Sequence, residues 1–358
     1  MTMYVVIMAG GVGTRFWPRS RFKRPKQLLN ILDDKTMIQA TVGRLDKLVP
    51  QNQIYVVTTE TQIDEIKNQL QFLKPENLII EPKGKNTAPC IGLAAIILKQ
   101  KDPEAVMTVL PADHRIKNEF QFRNVLSAAE VIASRYDCLV TIGIHPTYPS
   151  TGYGYIQVNG TIDEVNNLDV FRVKTFAEKP DLTTAQRFLN SGDFLWNSGM
   201  FIWKVRTILK EIEESLPELY DGLMEIEKYL GTKSEDEAIK KVYCQIKSIS
   251  IDYGVMEQSD NVYVLKGEFD WNDVGSWEEV YKISAQDDDN NVVIGNHFTK
   301  DTKGCFIDSP NRFIATLGIE NLIIVETDDA LLICRRDMAQ HVKDLVDAMK
   351  RKNLNQYL

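Results

Sequence analysis

The sequence has 358 residues and a formal net charge of −8, with 44% hydrophobic and 26% charged residues. This length allows one large domain plus a smaller one, and the composition is that of an ordinary globular protein. The acidic balance, without any stripe of Lys or Arg, argues against a nucleic-acid-binding protein. The five cysteines are widely spaced and form no C-x-x-C pair, which predicts reduced thiols and a cytoplasmic location.

The first half of the sequence alternates apolar runs with amphipathic segments. The apolar runs predict strands at residues 4–9, 54–58, 78–81, 106–110 and 138–144. The segments between them predict helices at residues 37–48, with Thr36 as the cap, and at 61–73, 87–99 and 118–134. This alternation favours βαβ units around a parallel sheet. The first run lacks a preceding basic residue, so it predicts a buried strand rather than a signal peptide, and no run is long enough to cross a membrane.

The middle of the sequence is less regular. It predicts strands at residues 152–156 and 170–179, and helices at 182–189 and 208–229. Residues 269–275 have strand and turn character, and residues 277–284 predict a short helix.

The C-terminal part has a different character from the rest. A polar segment at residues 287–291 predicts a boundary near residue 285, with domains at 1–285 and 286–358. The short strand patterns that follow, at 291–294, 305–308, 313–316, 322–326 and 331–334, predict a small all-β unit. A last amphipathic helix has Met338, Val342, Leu345, Val346 and Met349 on one face.

A glycine-rich loop, AGGVGTR at residues 9–15, directly follows the first predicted strand. Glycines allow a backbone to approach a ligand closely, and successive amide N–H groups can surround a phosphate. The loop is not a P-loop, because no Lys-Ser/Thr follows its last glycine, and Phe16 stands where the dinucleotide fingerprint needs a glycine. A tight turn without a ligand therefore remains the alternative.

Basic residues and prolines follow this loop. Arg15 and Lys26 are the two principal candidate cations, and further cations and stiffening prolines are Arg19, Arg21, Lys23, Arg24, Pro18 and Pro25. A solvated basic loop is one interpretation, and a triphosphate site is the other. The full stretch, AGGVGTRFWPRSRFKRPKQ, resembles the signature of sugar-1-phosphate nucleotidyltransferases. Its Trp-Pro pair and Gln27 are similar to the branch of that family that uses GTP and mannose 1-phosphate.

This resemblance implies an α/β fold with a Rossmann-like, glycosyltransferase-A-like mixed sheet flanked by helices. A small C-terminal β-helical unit and a terminal helix would complete it. The resemblance also implies that the loop binds the nucleotide through Gly10, Gly11, Gly13 and Thr14. Arg15 would hold the triphosphate as a catalytic residue, and Lys26 would stabilise phosphoryl charge.

Two aspartates are candidate metal ligands. Asp113 follows a predicted buried strand, and Asp273 lies in the segment FDWNDVGSW. A loop aspartate is more often a turn former than a ligand, so spacing alone does not pair them. The family resemblance implies that both hold Mg²⁺, with Asp113 also at the nucleotide, and Mg²⁺ needs only one or two protein carboxylates beside substrate oxygens.

The sequence FAEKP at residues 176–180 ends a predicted strand with an acid beside a base. A salt-bridged surface position is the plain interpretation of this pair. The resemblance implies instead that Glu178 binds sugar hydroxyls and that Lys179 is a catalytic contact to the sugar phosphate. It also implies sugar-phosphate roles for Gly152, Asn197 and Asp252 in the segments TGYGYI, LWNSGM and SIDYGVME.

The segment EPKGKNTAP at residues 81–89 is similar to the part of the guanine-using branch that precedes a helix. Asn86 and Thr87 are therefore implied to contact guanine or ribose. Lys85 stands where the branch usually has Arg.

The resemblance as a whole implies a Mg²⁺-dependent enzyme that transfers GMP from GTP to α-D-mannose 1-phosphate. GDP-mannose and pyrophosphate would form by direct displacement at the α-phosphorus, and a homodimer is compatible with the family. Three alternatives stay open. They are the same chemistry on another sugar phosphate or nucleotide, a non-catalytic sugar-nucleotide sensor, and a structural protein.

Overall fold

The computed structural model describes residues 2–358. In this part of the chain the strands are β1 (Met3–Met8), β2 (Ile54–Thr59), β3 (Leu78–Glu81), β4 (Val106–Pro111), β5 (Arg115–Ile116), β6 (Leu139–Ile144), β7 (Gly154–Val165), β8 (Leu168–Glu178), β9 (Phe194–Lys204), β10 (Val262–Lys266), β11 (Trp271–Asn272), β12 (Val292–Lys300), β13 (Phe306–Leu317), β14 (Leu322–Glu326) and β15 (Leu331–Arg335). The α-helices are α1 (Met37–Gly43), α2 (Ile63–Gln69), α3 (Thr87–Lys101), α4 (Glu119–Tyr136), α5 (Leu182–Ser191), α6 (Val205–Ser215), α7 (Pro217–Glu227), α8 (Glu235–Gln245), α9 (Trp277–Ile283) and α10 (Val342–Arg351).

The large sheet has the strand order β3-β2-β1-β4-β9-β6-β10-β8-β7 within residues 2–358. Strands β1 to β4 pair in parallel, as the alternation of strands and helices predicts. The expectation of a parallel sheet is wrong further along, because β9 runs antiparallel between β4 and β6. An apolar run predicts a buried strand but carries no information on its direction. The mixed sheet implied by the family resemblance is confirmed.

Both faces of this sheet are covered by buried apolar residues. One core contains the inward face of α4, with Val125, Leu126 and Ile132 completely buried. The other core contains α3, which is buried around most of its circumference between the sheet and the pair α6 and α7. This double cover explains why the strands are continuous apolar runs. It also leaves the carboxyl ends of β1, β3 and β4 as an edge on which loops can form a site.

Three helix predictions are wrong in their extent. The helix predicted for residues 61–73 is α2, which ends at Gln69. Helix α1 ends at Gly43 rather than at residue 48, and the chain continues in turns with a positive φ of 68° at Lys47. The helix predicted for residues 208–229 is two helices, α6 and α7, which are separated at Leu216. Pro217 follows Leu216, and a proline disfavours the helical conformation of the residue before it. Strands β9 and β10 and helix α8 were absent from the predicted elements.

The C-terminal β unit consists of β12, β13, β14 and β15. Strands β12, β13 and β14 pair in parallel, and β14 and β15 pair antiparallel. Short turns between successive parallel strands produce a helical course of the chain. The two strands predicted at 305–308 and 313–316 are one strand, β13, whose pairing with β12 shifts register between Gly295 and His297.

The C-terminal unit packs on the loop that follows β1. A shared core joins Phe16, Trp17 and Leu29 of that loop to Phe306 of β13 and Val346 of α10. The terminal helix therefore buries part of its predicted apolar face against the loop segment rather than only against its own unit. Among residues 2–358 no helix is long and apolar enough to cross a membrane.

Candidate active site

A cavity of about 470 Å³ opens where the carboxyl ends of β1, β3 and β4 meet the loops around β7, β8 and β9. The predicted site residues that line it are Gly10, Gly11, Asn86, Thr87, Asp113, Gly152, Glu178, Lys179, Asn197, Asp252 and Asp273. Gly13, Thr14, Arg15 and Lys26 do not line it. The sequence segments are as far apart as residues 10 and 273, and the fold brings them to one opening.

The glycine-rich loop presents free backbone N–H groups. Among the described residues, the N–H groups of Gly10, Gly11, Val12 and Gly13 donate to no protein acceptor. The loop carbonyls are instead held from the protein side. Gln27 Nε2 donates to the oxygens of Ala9 and Gly11 at 2.7 and 2.9 Å, and Ser20 Oγ donates to the Gly13 oxygen at 2.8 Å. Carbonyls held inward and N–H groups left free are the arrangement of an anion-binding nest.

Gly13 is required by the close approach of Lys26. Its φ is +66°, and a Cβ at this position would lie 2.4 Å from the Cβ of Lys26. Lys26 is buried, and its Nζ donates to Asp113 Oδ2 and to the backbone oxygen of Asp273, at 2.7 Å each. Lys26 thus joins the two predicted metal ligands from behind the cavity wall, rather than facing the cavity as a free cation.

The two aspartates differ in their surroundings. Burial opposes ionisation of Asp113, but the Lys26 and His114 neighbours leave its pKa below the usual value. Burial raises the pKa of Asp273, an effect that the Lys26 charge partly offsets. Tyr153 donates from its hydroxyl to Asp273 Oδ1 at 2.7 Å. The Asp113 carboxylate is paired with Lys26 and the Asp273 carboxylate is bonded to Tyr153, and both line one cavity. Carboxylate oxygens are hard donors of the kind that Mg²⁺ prefers.

Neighbouring strands and aromatic residues fix the segments that carry these aspartates. Strand β5, which follows Asp113, pairs antiparallel with β11, which precedes Asp273. Trp271 Nε1 donates to His114 Nδ1 at 3.1 Å. Burial lowers the pKa of His114 to about 4, so the imidazole is neutral at pH 7 and accepts this bond. No cluster of three or more His, Cys, Asp or Glu side chains suited to a metal occurs in residues 2–358.

Glu178 is the last residue of β8 and Lys179 follows it, at the far side of the cavity. The Glu178 side chain is 8% exposed and the Lys179 side chain is 56% exposed, and the two form an ion pair. Gly154 makes room for the carboxylate, because a Cβ there would lie 2.3 Å from Glu178 Oε2. Lys179 has a positive φ of 47°. The ammonium therefore reaches into solvent at the cavity mouth while the carboxylate stays buried.

Asn197 and Asp252 form a hydrogen-bonded pair beside Glu178. Asn197 Nδ2 donates to Asp252 Oδ1 at 2.8 Å, and Thr141 Oγ1 donates to Asn197 Oδ1 at 3.2 Å. Burial, together with the Glu178 charge, raises the pKa of Asp252 to about 6. This side of the cavity thus offers oxygen acceptors suited to hydroxyl groups, next to the cation of Lys179.

The loop before α3 is tied to the segment before Asp252. Thr87 Oγ1 accepts from the backbone N–H of Ile251 at 2.8 Å, and Lys85 Nζ donates to the oxygen of Ile246 at 2.9 Å. Asn86 caps α3 from a positive φ of 70°. The Thr87 hydroxyl and the Lys85 ammonium are therefore both hydrogen-bonded within the protein. The positive φ of Asn86 places that residue at the cavity.

Glu81 is a cavity residue to which the sequence interpretation gave no role. It lies at the end of β3 and is 3% exposed, and its Oε1 has no hydrogen-bond partner among the described residues. Burial raises its pKa to about 7. The sequence did contain an indication of this role. Glu81 ends a continuous apolar run, and Asp113 was predicted as a site residue from the same kind of position. The supporting contacts of Ser20, Gln27 and Tyr153 were also missed. Ser20 and Gln27 hold carbonyls of their own loop, whose folded path the sequence does not specify, and Tyr153 contacts the distant Asp273.

Arg15 and Thr14 lie in a short 3₁₀ turn after the glycines. Arg15 is exposed, and no ion pair or hydrogen bond of its guanidinium is found in residues 2–358. The loop thus presents a long cationic side chain next to the free N–H groups of the nest.

The molecule combines a large mixed sheet flanked by helices with an anion-binding nest and two carboxylates at the edge of that sheet. This combination is that of a nucleotidyltransferase. A family model described as nucleotidyl transferase matches residues 4–290. A second model, described as a MannoseP isomerase/GMP-like beta-helix domain, matches residues 295–349.

Similar proteins specify the family. The chain is 38% identical over 346 residues to a mannose-1-phosphate guanylyltransferase of Escherichia coli, covering 95% of this chain and 74% of the relative. It is 38% identical over 360 residues to one of Salmonella muenchen, covering 98% and 74%. A crystal structure described as a mannose-1-phosphate geranyltransferase of Thermus thermophilus has a TM-score of 0.88 and 32% identity, covering 98% of this chain and 100% of that one. The chain belongs to the mannose-1-phosphate guanylyltransferase family, as the sequence resemblance implies.

Proposed function

We propose that the protein transfers GMP from GTP to α-D-mannose 1-phosphate and releases pyrophosphate. The observation that carries this proposal is the nest of free N–H groups at Gly10 to Gly13, which adjoins the same cavity as Asp113, Asp273 and Lys179. A nest suits the triphosphate, the acid and base at the other side suit a phosphorylated sugar, and the carboxylates lie between them.

The order of the strands suggests where each part of the two substrates lies along the edge of the sheet. Neighbouring strands lie about 4.8 Å apart, so the end of β3 lies about 14 Å from the end of β4, across β2 and β1. The Glu81 side chain points from β3 toward the loop, because a Cβ at Gly10 would lie 3.4 Å from Glu81 Oε2. We place the base near Glu81, Asn86 and Thr87, and the phosphates at the loop after β1. The sugar phosphate then lies beyond β4, at Gly152, Glu178, Asn197 and Asp252. This order lets an extended nucleotide meet the sugar phosphate near Asp113.

The reaction is a direct displacement. An oxygen of the sugar phosphate attacks the α-phosphorus of GTP, a new P–O bond forms, and the bond to the β-phosphate oxygen breaks with release of pyrophosphate. The attacking phosphate is already anionic at neutral pH, so no general base is needed. The residues act by positioning and by neutralising charge, as in other phosphoryl-type transfers. Arg15 and the nest hold the leaving phosphates, and Lys179 orients the nucleophile.

Nucleotidyltransferases of this family typically use a divalent metal. Asp113 and Asp273 fit a Mg²⁺ ion, because two carboxylates leave positions for substrate oxygens and water. When bound, such an ion supplies charge neutralisation between adjacent phosphate oxygens. Lys26 holds Asp113 and the backbone of Asp273 in place, so we assign it a positioning role together with the electrostatic one expected from the sequence.

Glu81 provides an acceptor for a base that has two adjacent N–H donors. Guanine presents its N1–H and 2-amino groups side by side, which matches the two oxygens of one carboxylate. Adenine presents an acceptor at N1 instead, so it would leave the buried carboxylate unpaired. A site that hydrogen-bonds a substrate strongly rejects an analogue that lacks the partner group.

Three assignments from the sequence stay predictions: the domain division, the homodimer and the cytoplasmic location. The division into domains 1–285 and 286–358 is kept, although the two units share the core that includes Phe16 and Val346.

Pyrophosphate release tests the function. The purified chain is incubated with Mg²⁺, mannose 1-phosphate and one of GTP, ATP, UTP or dTTP. Release with GTP alone supports the proposal. Release with a different nucleotide would overturn the base assignment while keeping the chemistry, and no release with any triphosphate and any sugar phosphate would favour a sensor.

A further inference from the structure

A second cavity, of about 260 Å³, lies outside the candidate active site. It is lined by Leu32, Asp33, Lys35, Met37, Ala40, Arg44, Arg115, Ile116 and Lys117. The lining thus contains four cationic side chains and one carboxylate, on a protein whose net charge is −8. A local excess of positive charge in a concave site concentrates anions.

Arg44 is the unusual member of this group. It is 6% exposed, and its only side-chain hydrogen bond in residues 2–358 is a long one, 3.4 Å, from Nη1 to Thr41 Oγ1. A guanidinium has five N–H donors, and buried arginines are almost always paired. Burial lowers the pKa of Arg44 to about 10, so it is still charged at neutral pH. The other N–H groups of this guanidinium have no protein acceptor among the described residues and are not sealed from solvent, so they are free to donate to a partner in the cavity.

The carboxylates nearby do not supply this partner. Asp270 pairs with Lys117 at 3.1 Å and lies 3.9 Å from Arg115. Glu119 pairs with Arg123, whose Nη1 donates to the backbone oxygen of Arg44 rather than entering the cavity. Asp33 lines the cavity and reduces its positive charge without forming an ion pair with Arg44.

The cavity is connected to the candidate metal ligands through short contacts. Thr41 Oγ1, the partner of Arg44, donates to the oxygen of Ala112 at 3.1 Å, and Ala112 precedes Asp113. Arg115 lies on β5, whose partner strand β11 leads directly into Asp273. A ligand that orders Arg44 and Arg115 therefore contacts the two segments that position both carboxylates.

We propose that this cavity binds a phosphate-type oxyanion, with Arg44 and Arg115 as its principal ligands. A planar guanidinium donates two parallel N–H hydrogen bonds to such an anion, and two guanidinium groups can bind the same tetrahedral anion. The volume suits inorganic phosphate or pyrophosphate rather than a whole nucleotide. The site is separate from the nest, so it can be filled while the active site is occupied.

Calorimetric titration of the full chain with inorganic phosphate, and separately with pyrophosphate, tests the site. Arg44→Gln and Arg115→Gln should each weaken binding at one stoichiometric site by at least about tenfold. Arg115 is a second test because its side chain, at 18% exposed, is less completely buried than Arg44. Arg15→Gln and Lys179→Gln each remove an active-site cation, one from the pyrophosphate side and one from the sugar side, and both should leave this binding event in place. Arg123→Gln controls for changes around Arg44.

The outcomes separate the alternatives. Binding that is lost in Arg15→Gln or Lys179→Gln but kept in Arg44→Gln and Arg115→Gln belongs to the active site and would overturn the proposal. No binding to the wild-type chain by either anion would do the same and would leave water as the partner of Arg44. Tighter binding of pyrophosphate than of phosphate would identify pyrophosphate, the reaction product, as the anion that the site takes. Equal binding of the two would identify free phosphate as that anion. These results do not depend on which substrates the enzyme uses.

Discussion

Arg19 donates from Nη1 to Asp308 Oδ2 at 2.8 Å and so joins the loop after β1 to the C-terminal β unit. Asp308 is 1% exposed, whereas the Arg19 side chain is 20% exposed. The same loop contains Arg15 and Lys26, and Trp17 Nε1 donates to the backbone oxygen of Tyr357 at 2.8 Å. The C-terminal unit therefore holds the segment that connects the anion nest to Lys26.

The first prediction concerns this connection. Arg19→Gln should raise KM for GTP about tenfold, because a displaced loop misplaces the nest and Lys26, while KM for the sugar phosphate stays unchanged. It should also lower the free energy of unfolding by about 3 kcal/mol, since Asp308 would stay buried without its partner. Steady-state kinetics and urea unfolding measure the two effects.

Arg312→Gln is the matched control for Arg19→Gln. Arg312 also faces a buried carboxylate, Glu326, at 3.7 Å, but within the C-terminal unit, and Ser309 also donates to Glu326. This variant should leave both KM values unchanged. If the two variants raise KM for GTP equally, the connection between Arg19 and the loop does not position the site.

The second prediction concerns the glycines of the nest. Gly13→Ala should lower kcat/KM roughly 100-fold, because φ is +66° and the new Cβ would meet Lys26 at 2.4 Å. Gly11→Ala should cause a much smaller loss, since nothing lies within 4 Å of its added Cβ and its N–H group is retained. Equal losses in the two variants would mean that open space at the loop, rather than its conformation, limits activity.

The sequence predicted those parts of the site that follow strands. Gly10 to Gly13 and Asp113 come directly after apolar runs, and their common edge follows from a parallel arrangement of β1 and β4. Glu178 and Asn197 came from motif resemblance, and the cavity places them opposite Asp113. The roles of these residues remain predictions.

Features that depend on long-range contacts could not be predicted. The antiparallel insertion of β9 depends on which strands it meets, and the join of two short runs into β13 depends on its register with β12. Glu81 and Arg44 are ordinary charged residues in the sequence, and only their burial with few partners distinguishes them. Local pattern thus located the loops, and tertiary packing determined what each loop contacts.

The third prediction concerns Lys179. Lys179→Gln should raise KM for mannose 1-phosphate by between about tenfold and 100-fold, because a hydrogen bond to a charged group contributes about 1.5–3 kcal/mol. KM for GTP should stay within about twofold, since Lys179 lies on the sugar side of the cavity. Lys174→Gln is the control, because Lys174 is an exposed residue of β8, the strand that Lys179 follows. A parallel rise in both KM values would contradict the assignment to the sugar phosphate.

The fourth prediction concerns the base. Wild type should use GTP far better than inosine triphosphate, which lacks the 2-amino group. Glu81→Gln should lower kcat/KM for GTP about 100-fold and bring the ratio of the two nucleotides close to one. Tyr243→Phe perturbs the same region, because the Tyr243 hydroxyl donates to the Pro89 oxygen at 3.2 Å and lowers the pKa of Glu81 against the effect of burial. This variant nevertheless leaves both carboxylate oxygens in place.

The nucleotide ratio distinguishes recognition from folding. Tyr243→Phe should change the use of GTP and inosine triphosphate by the same factor. If Glu81→Gln also lowers both equally, Glu81 supports the structure of the loop and does not contact the base.

The fifth prediction concerns pH and Asp252. Burial and the Glu178 charge raise the pKa of Asp252 to about 6, so the side chain is ionised at pH 7.5 and mostly protonated near pH 5. The ionised form accepts from Asn197 and can also accept a sugar hydroxyl. KM for mannose 1-phosphate should therefore rise as the pH falls through about 6.

The substrate phosphate also titrates with a second pKa of about 6, so the wild-type profile alone is ambiguous. Asp252→Asn removes the carboxylate but leaves the substrate titration unchanged. The ratio of KM for Asp252→Asn to KM for wild type should be largest above about pH 7 and fall toward one near pH 5, with a midpoint near 6. A ratio that does not vary with pH would show that the charge of Asp252 makes no contribution to sugar binding, and that the wild-type profile reflects the substrate alone.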